Sequence, residues 1–321
     1  MNAPGFTLAE LRTAQARIVD SIHRTPLVHS TTISERVGRP VYLKCENLQK
    51  TGAFKVRGAL NRLLTLTDEA REKGVCTISA GNHAQAVAWA GSASGIECLV
   101  VMPAHASPTK VRASKEYGAE VVMHGTTAEA FVRVRELSEE RGLTFVHPFD
   151  DIEVVRGHAS CGLEILEDLP DVGTIVVPVG GGGLSSAIAA AVHASAANVD
   201  VWGVEPEGAA AMHESLKAGH AVTLDHVETI ADGLAPPMAG KLNHAILAAH
   251  SRGVVLVSDD EIIDSMTLLL ERTKLLAEPS GAAGLAALLA GRIKSADDRP
   301  VVVVISGGNA DLQQCPFLQR S

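Results

Sequence analysis

Lys55 follows directly on Phe54 near the start of a predicted helix over residues 53–66, inside the stretch Thr51–Ala59. A lysine amine can act as a covalent catalyst that holds an aldehyde cofactor as a Schiff base. A solvated lysine on an amphipathic helix is the alternative that this stretch leaves open. The reactive residues elsewhere in the chain have to decide between the two.

The segment Ser79–His83 lies directly after a predicted strand, Val75–Ile78, and directly before a predicted helix. The backbone N–H groups at such a helix start favour an anion. Gly81 lets the chain approach a ligand closely, and Asn82 offers a donor to an oxyanion. The alternative is an ordinary strand-to-helix turn in which Ser79 or Asn82 caps the helix.

Four consecutive glycines separate the predicted strand Thr174–Val179 from a predicted helix over 184–195: Gly180, Gly181, Gly182 and Gly183. Each glycine costs backbone entropy on folding, and a plain tight turn needs only one or two of them. A backbone that wraps a phosphate with its N–H groups at a helix N-terminus explains the run better. The sequence therefore predicts a phosphate site here.

The kind of phosphate is less well defined by the glycines. A dinucleotide fingerprint requires G-x-G-x-x-G, and Ser185 stands where its last glycine would be. Glu205 ends the next predicted strand, about where a ribose-binding acid would lie, so a nicotinamide oxidoreductase stays open. No G-x4-G-K-[ST] occurs, which excludes a nucleoside-triphosphate loop. A third loop, Ser306–Asn309, follows the last predicted strand with a hydroxyl and backbone groups.

Gly157–Gly162 superficially suggests the nucleophile loop of a serine hydrolase. It has one residue too many for G-x-S-x-G, and no predicted strand precedes it. Ser160 is therefore interpreted as a helical, structural serine.

Composition narrows the class of protein. A formal net charge of −9 argues against nucleic acid as a main partner, and the longest apolar runs are far too short to span a bilayer. Charged residues within the first twenty positions argue against a secretory signal. Five cysteines without a C-x-x-C pair indicate free thiols in a reducing compartment, with neither a disulfide framework nor a zinc site. The prediction is a cytoplasmic soluble protein.

The reactive loops depend on strands and helices that alternate along the chain. Predicted strands are Val41–Lys44, Val75–Ile78, Glu97–Met102, Glu120–Met123, Thr144–His147, Thr174–Val179, Val201–Glu205, Val254–Val257 and Val301–Ile305. Helices are predicted over 7–24, between the strands, over 259–276 and over 281–291, while 219–252 is less regular. This alternation predicts an α/β fold with mostly parallel, twisted sheets and helices on both faces. The strands are more than one open sheet usually holds, so two lobes are expected.

Taken together, these segments resemble the serine/threonine dehydratases, which share the fold of the tryptophan-synthase β-like pyridoxal phosphate enzymes. The resemblance spans nearly the whole chain. It rests on Thr51–Ala59, Ser79–His83, the tetraglycine loop, Glu278–Gly284, Ser306–Asn309, Arg24–Leu27 and Glu46-Asn47, in the family's pattern.

The resemblance implies a role for each of these residues. Lys55 would bind pyridoxal 5′-phosphate covalently and then act as the general base, and Phe54 would pack near the pyridine ring. Gly180 to Gly183 with Leu184 would bind the cofactor phosphate, Asn82 the ring 3′-oxygen and Ser306 the ring nitrogen. Ser79, Gly81 and His83 would receive the substrate carboxylate. The implied reaction is dehydration and deamination of L-threonine, L-serine or a related 3-hydroxy amino acid to a 2-oxo acid and ammonia.

Two positions depart from relatives in this family. Serine racemases carry a hydroxyl in the asparagine loop where this chain has Ala80, which favours dehydration over racemisation. The same relatives bind a divalent cation with two carboxylates after the strand that ends at Glu205. The second position here is Ala211, so no metal site is expected.

The resemblance also implies an organisation for the chain. A small domain over 71–151 would be inserted in a large cofactor-binding domain made of 1–70 and 152–321. A homo-oligomer, dimer or tetramer, is expected, and no regulatory extension is expected after Ser321. Serine racemisation, nicotinamide-dependent oxidation and non-catalytic amino-acid binding are the alternatives.

Overall fold

The computed structural model describes residues 5–295 and 297–311. Within them the strands are β1 Leu27–His29, β2 Val41–Lys44, β3 Val75–Ile78, β4 Cys98–Met102, β5 Glu120–Met123, β6 Thr144–Phe145, β7 Thr174–Pro178, β8 Asp200–Pro206, β9 Val254–Val257 and β10 Val301–Val304. The helices are α1 Leu8–Ile18, α2 Thr31–Val37, α3 Val56–Leu64, α4 Asp68–Lys73, α5 Asn82–Ser94, α6 Pro108–Glu116, α7 Thr127–Arg141, α8 Ile152–Asp168, α9 Gly183–Ala194, α10 Ala211–Ala218, α11 Lys241–His250, α12 Asp259–Leu268 and α13 Pro279–Leu289.

The strands form two sheets. A six-stranded sheet has the order β1-β2-β10-β7-β8-β9, and a four-stranded sheet has the order β5-β4-β3-β6. Every strand pair is parallel except β1 with β2, which is antiparallel. The predicted α/β fold with mostly parallel sheets is confirmed. Parallel strands are buried on both faces, and β7 and β10 accordingly consist almost entirely of buried aliphatic residues.

The core is aliphatic, as the scarcity of aromatic residues requires. On one face of the large sheet, α8 and α9 pack over β7 with Val155, Leu163, Ile175 and Ile188 all fully or almost fully buried. On the other face, α12 and α13 pack against β10 with an equally apolar cluster. The four-stranded sheet has its own clusters, built around α5 and α7.

Some elements differ from the predictions. The edge strand β1 has three residues after Pro26, too short to produce an alternating pattern. Helix α2 starts at a Ser30 side chain that accepts a hydrogen bond from Ile33 N and ends at Gly38 with φ 79°. Helix α3 starts at Val56, later than predicted, because a 3-10 turn over Lys50–Gly52 precedes it with Thr51 at φ 59°.

The predicted irregular stretch 219–252 contains the helix α11. Its first amide groups, Lys241 N and Leu242 N, donate to the Asp150 carboxylate at 3.2 and 2.9 Å. This cap comes from a residue about 90 positions earlier, so local sequence could not reveal it. The predicted helix over 259–276 ends as α12 at Leu268, and a π-helical turn, Leu269–Thr273, follows.

In the part of the chain that the structure describes, no helix combines the length and the apolar character needed to cross a membrane.

Candidate active site

The three loops singled out in the sequence follow the carboxyl ends of β3, β7 and β10. Ligands of open parallel sheets bind beyond these ends, so the topology directs the loops toward ligands. Lys55 immediately precedes α3, and backbone contacts tie its segment to the loop after β10. Phe54 N donates to Ser306 O at 3.1 Å, and Ala53 forms an antiparallel bridge with Gly307.

The Lys55 amine is partly withdrawn from solvent. Its Nζ donates to Pro148 O at 2.9 Å and lies 5.1 Å from the centre of the Phe54 ring. Burial lowers the pKa of this amine to about 8, although the negative charge of Glu278 acts in the opposite direction. A lysine with a pKa near neutrality is a far better nucleophile and base than a solvated one.

Packing alone leaves no room for side chains in the glycine loop. A Cβ on Gly181 would lie 2.4 Å from the Phe149 ring, and one on Gly182, where φ is 94°, would lie 2.6 Å from Met212. A Cβ on Gly180 would meet Gly233 O at 2.9 Å. The glycine run is therefore required by close neighbours as well as by any ligand.

The glycine loop still presents free donors at the start of the twelve-residue helix α9. Within the described residues, none of the backbone N–H groups of Gly180, Gly181, Gly182 and Gly183 donates to a protein acceptor. The Gly181 carbonyl is held from behind, by Asn243 Nδ2 at 2.9 Å and Gly240 N at 3.0 Å. Such an array of oriented N–H groups at a helix N-terminus is an anion site.

Pro148 and Phe149 link the amine to the glycine loop. The carbonyl of Pro148 accepts from Lys55, and Phe149 packs against Gly181 and Gly183. Lys55 and the glycine loop, about 125 positions apart in the sequence, thus both contact the segment Pro148-Phe149. No sequence signal pointed to Phe149 or Asn243.

The Asn82 amide lies in a hydrogen-bonded chain. Asn82 Nδ2 donates to Glu278 Oε1 at 2.6 Å, and Asn309 Nδ2 donates to Asn82 Oδ1 at 2.8 Å. Asn309 Nδ2 also donates to Thr51 O at 2.7 Å. These hydrogen bonds join the loop after β3, the loop after β10 and the segment that contains Lys55. Glu278 and Asn309 stood within the quoted motifs, but the sequence assigned them no role.

The other predicted site residues of the asparagine loop, Ser79–His83, do not all point toward the same space. The Ser79 hydroxyl accepts from Gly81 N at 3.1 Å, and nothing lies within 4 Å of a Cβ built on Gly81. His83 is buried, with Nε2 3.3 Å from Val146 O, and burial lowers its pKa well below the usual value. The His83 side chain therefore faces the interior, and only its backbone N–H remains for a ligand at the loop.

Ser306 and Leu184, the other two residues predicted to contact the cofactor, are both buried. Ser306 is buried next to Gly307, and its hydroxyl makes no hydrogen bond within the described residues. Leu184 is buried in the core cluster at the first turn of α9, so only its backbone can contribute to the loop.

A buried charge network lies next to the Lys55 segment. Arg57 donates to Glu46 at 2.7 and 2.8 Å and to Glu164 at 2.7 and 2.9 Å, while Lys44 Nζ donates to Glu164 at 2.7 Å. Burial acts to raise the pKa of Glu46, but Arg57, Lys44 and Thr25 together outweigh it and the pKa is lowered. Ser160 accepts from Arg57 at 3.0 Å inside α8, which confirms it as a structural serine.

Both carboxylate oxygens of Glu205 accept hydrogen bonds from backbone N–H groups a few residues later in the chain. They accept from Met212 N and His213 N at 2.8 Å each. Burial raises the pKa of Glu205 to about 8, although the two N–H donors act to lower it. Within residues 5–295 and 297–311 no group of three or more metal-ligating side chains comes together.

Comparisons with known proteins agree with this arrangement. A family model described as pyridoxal-phosphate dependent enzyme matches residues 18–307. The L-threonine ammonia-lyase of Geobacter sulfurreducens is 46% identical over 304 residues, 94% of this chain and 75% of the relative. The catabolic L-threonine dehydratase of Escherichia coli is 42% identical over 303 residues, 94% of this chain and 92% of the relative. The crystal structure of serine racemase from Dictyostelium discoideum has a TM-score of 0.90 at 40% identity, covering 95% of this chain and 99% of that one.

The family match spans all three loops and Lys55. It confirms the resemblance and the tryptophan-synthase β-like fold, and it gives no support to a nicotinamide oxidoreductase. The chain belongs to the family of pyridoxal-phosphate-dependent enzymes.

Proposed function

We propose that this protein is an ammonia-lyase that converts L-threonine, L-serine or a similar 3-hydroxy amino acid to a 2-oxo acid and ammonia. The observation that carries the proposal is the Lys55 amine, whose pKa is lowered to about 8. This amine bonds Pro148, and the next residue, Phe149, packs against the glycine loop. Relatives that carry the same activity in their names are 42–46% identical over almost the whole chain.

The residues present fit pyridoxal 5′-phosphate. The free N–H groups of Gly180–Gly183, together with the Leu184 backbone, would hold its phosphate, and Lys55 its aldehyde carbon. Asn82 has one N–H beyond its bond to Glu278 for the ring 3′-oxygen. The Ser306 hydroxyl, which makes no hydrogen bond to another described residue, would serve the ring nitrogen. Phe54 would lie beside the ring. When bound, the cofactor withdraws electrons from the substrate Cα.

Lys55 would then move the proton that starts the reaction. In its neutral form Nζ can take the proton from the substrate Cα, and a pKa of about 8 leaves a useful neutral fraction near pH 7. The Pro148 carbonyl accepts a hydrogen bond from Nζ, so it orients the amine without neutralising it. Loss of the 3-hydroxyl as water follows.

The asparagine loop would bind the substrate carboxylate. The Gly81 N–H donates to Ser79, which organises the turn, and the space beside Gly81 is open. Ser79, Gly81 and the His83 backbone would surround the carboxylate at the start of α5, where the helix dipole favours an anion. The same loop has a methyl group at Ala80 and thus no second proton donor there.

A panel of L- and D-3-hydroxy amino acids tests the proposal. The full-length protein with pyridoxal phosphate should release 2-oxo acid and ammonia in equal amounts from L-threonine or L-serine. Chiral analysis of the L-serine reaction should find loss of serine without a D-isomer, because Ala80 offers no proton on the second face. Accumulation of D-serine with no 2-oxo acid would instead identify a racemase, the activity named for several relatives.

Gly181→Ala should weaken cofactor binding. The new Cβ would lie 2.4 Å from the Phe149 ring, so the ring or the loop has to move. Overpacking of this kind costs about 1–3 kcal/mol, which corresponds to a roughly 5- to 150-fold higher Kd for pyridoxal phosphate if the loop yields. Equilibrium dialysis measures it. Gly5→Ala, with nothing within 4 Å of its Cβ, is the control, and equal Kd values for both variants would count against the loop as the phosphate site.

The organisation of the whole molecule is also a proposal. We propose a large domain of 1–70 and 152–321 and an inserted small domain of 71–151. The separate four-stranded sheet, drawn from β3 to β6, supports this division. A cytoplasmic location and a homo-oligomer are proposed as well; free, buried Cys45, Cys76, Cys98 and Cys161 are compatible with a reducing compartment.

A further inference from the structure

Glu278 has an unusual position for an acidic residue at a helix start. It is the N-cap residue of α13, yet its side chain makes no capping hydrogen bond to that helix. Its Oε1 instead accepts from Asn82 Nδ2 at 2.6 Å, across 196 residues of sequence. Side chains that cap a helix, typically those of Ser, Thr, Asp and Asn, accept from the first free N–H groups of that helix. The carboxylate of Glu278 is directed to the candidate active site instead.

The backbone around Glu278 holds the carboxylate in this direction. Glu278 N donates to Gly307 O at 3.1 Å, which ties it to the loop after β10. A Cβ on Gly307 would lie 2.3 Å from Glu278 Oε1, so only glycine there admits the carboxylate. Burial raises the pKa of Glu278 to about 7; Asn82, Lys110 and Lys55 act to lower it and Asp232 to raise it.

The hydrogen-bond inventory of Asn82 leaves a single arrangement. Asn309 Nδ2 has two hydrogens, one for Thr51 O and one for Asn82 Oδ1. Asn82 must therefore offer its oxygen to Asn309 and its NH2 group to Glu278. A rotated Asn82 amide would set NH2 against NH2 and oxygen against carboxylate. One Asn82 N–H donates to Glu278, and the other has no acceptor among the residues that the structure describes.

We propose that Glu278 is a positioning residue of this site, which together with Asn309 fixes the Asn82 amide so that its free N–H is presented to an oxyanion of the ligand. The inference deepens the proposed function and rests on it in one respect, since that oxyanion is assigned to the ring 3′-oxygen of pyridoxal phosphate. Glu278 acts only through Asn82, and removing its acceptor leaves the bond from Asn309 as the one described side-chain contact that orients the amide.

A double-mutant cycle on cofactor affinity tests this role. Glu278→Met removes the acceptor and keeps most of the side-chain volume, while Glu278→Gln keeps an acceptor oxygen. Equilibrium dialysis of the full chain should give about a tenfold higher Kd for pyridoxal phosphate in Glu278→Met and a change within about threefold in Glu278→Gln. In an Asn82→Ala background, Glu278→Met should change the Kd by less than about twofold, because the residue it positions is gone.

Equal effects of Glu278→Met with and without Asn82 would overturn the proposal, as would a Glu278→Gln variant as weak as Glu278→Met. Asn309→Ala removes the donor to Asn82 Oδ1. It should likewise raise the Kd only when Asn82 is present, so it replaces Glu278→Met in the cycle if that variant does not fold. Asp232→Asn is the control, because the charge of Asp232 acts on Glu278 while its carboxylate pairs with Lys110 at 3.2 Å and, among the described residues, does not bond Asn82.

Cofactor binding and 2-oxo acid release by the wild-type protein distinguish a failure of this inference from a failure of the proposed function. Protein that binds pyridoxal phosphate but releases no 2-oxo acid would overturn the proposed reaction, and the Kd comparison would still decide the role of Glu278. Protein that binds no pyridoxal phosphate would overturn both.

Discussion

Replacing Lys55 by alanine abolishes the release of 2-oxo acid and the visible absorbance of bound pyridoxal phosphate. The variant lacks both the amine that bonds the cofactor and the base beside the substrate Cα, so we expect turnover to fall by at least about 10³-fold. Lys55 Nζ bonds only Pro148 O among the described residues, so the fold itself should tolerate its loss. Activity is measured by ammonia release and cofactor binding by absorbance.

Lys50→Ala is the matched control for this change. Lys50 precedes Lys55 by five residues, and its Nζ lies 5.8 Å from the centre of the Trp89 ring. It should keep turnover and absorbance close to wild type. A Lys55→Ala protein that stays coloured and active would contradict the role given to Lys55.

Arg57→Met should be the most destabilising of the single changes considered. Arg57, Glu46 and Lys44 are fully buried, and Arg57 bonds both Glu46 and Glu164. Methionine removes the guanidinium partner of both carboxylates and leaves Glu164 with its hydrogen bond from Lys44. Removing one partner of a buried pair costs about 3–5 kcal/mol, because the other charge stays buried. Urea unfolding followed by circular dichroism measures the loss.

Arg62→Met, in the same helix α3, gives the comparison. Arg62 pairs with Asp151 at 2.9 Å, and both side chains keep contact with solvent. Pairs of this kind contribute about 0–1 kcal/mol. If the two variants unfolded at the same urea concentration, the network would not be what holds the start of α3, and with it Lys55, in place.

The sequence predicted the fold well where a feature is local. Strands such as β7 and β10 are continuous aliphatic runs, and the glycine loop and Ser79–His83 follow strand ends that can be recognised by inspection. The strands β7 and β10 are parallel neighbours in the six-stranded sheet, so locating them also predicted that their loops lie at one edge of it. The strand β3 belongs to the other sheet, so the strands alone did not predict that its loop meets the loop after β10. The helix beside Lys55 was also predicted, but it starts at Val56, later than predicted, so Lys55 precedes it instead of lying in its first turn.

Features that depend on distant partners could not be predicted. The start of α11 is capped by Asp150, and the packing of Phe149 leaves no room for a Cβ on Gly181. The contact of Glu278 with Asn82 joins two segments that are 196 residues apart in the sequence. His83 belongs to the predicted loop, but its side chain faces Val146, since helical periodicity carries it to the interior side of α5.

Reduction of the protein with borohydride tests the central claim most directly. The reagent fixes a covalent lysine–cofactor bond permanently, and peptide mass spectrometry then locates it. We predict that the pyridoxyl group is found on the peptide containing Lys55, and that Lys55→Ala protein treated in the same way carries none. A modified peptide that contains another lysine, such as Lys44, Lys50 or Lys110, would contradict the account.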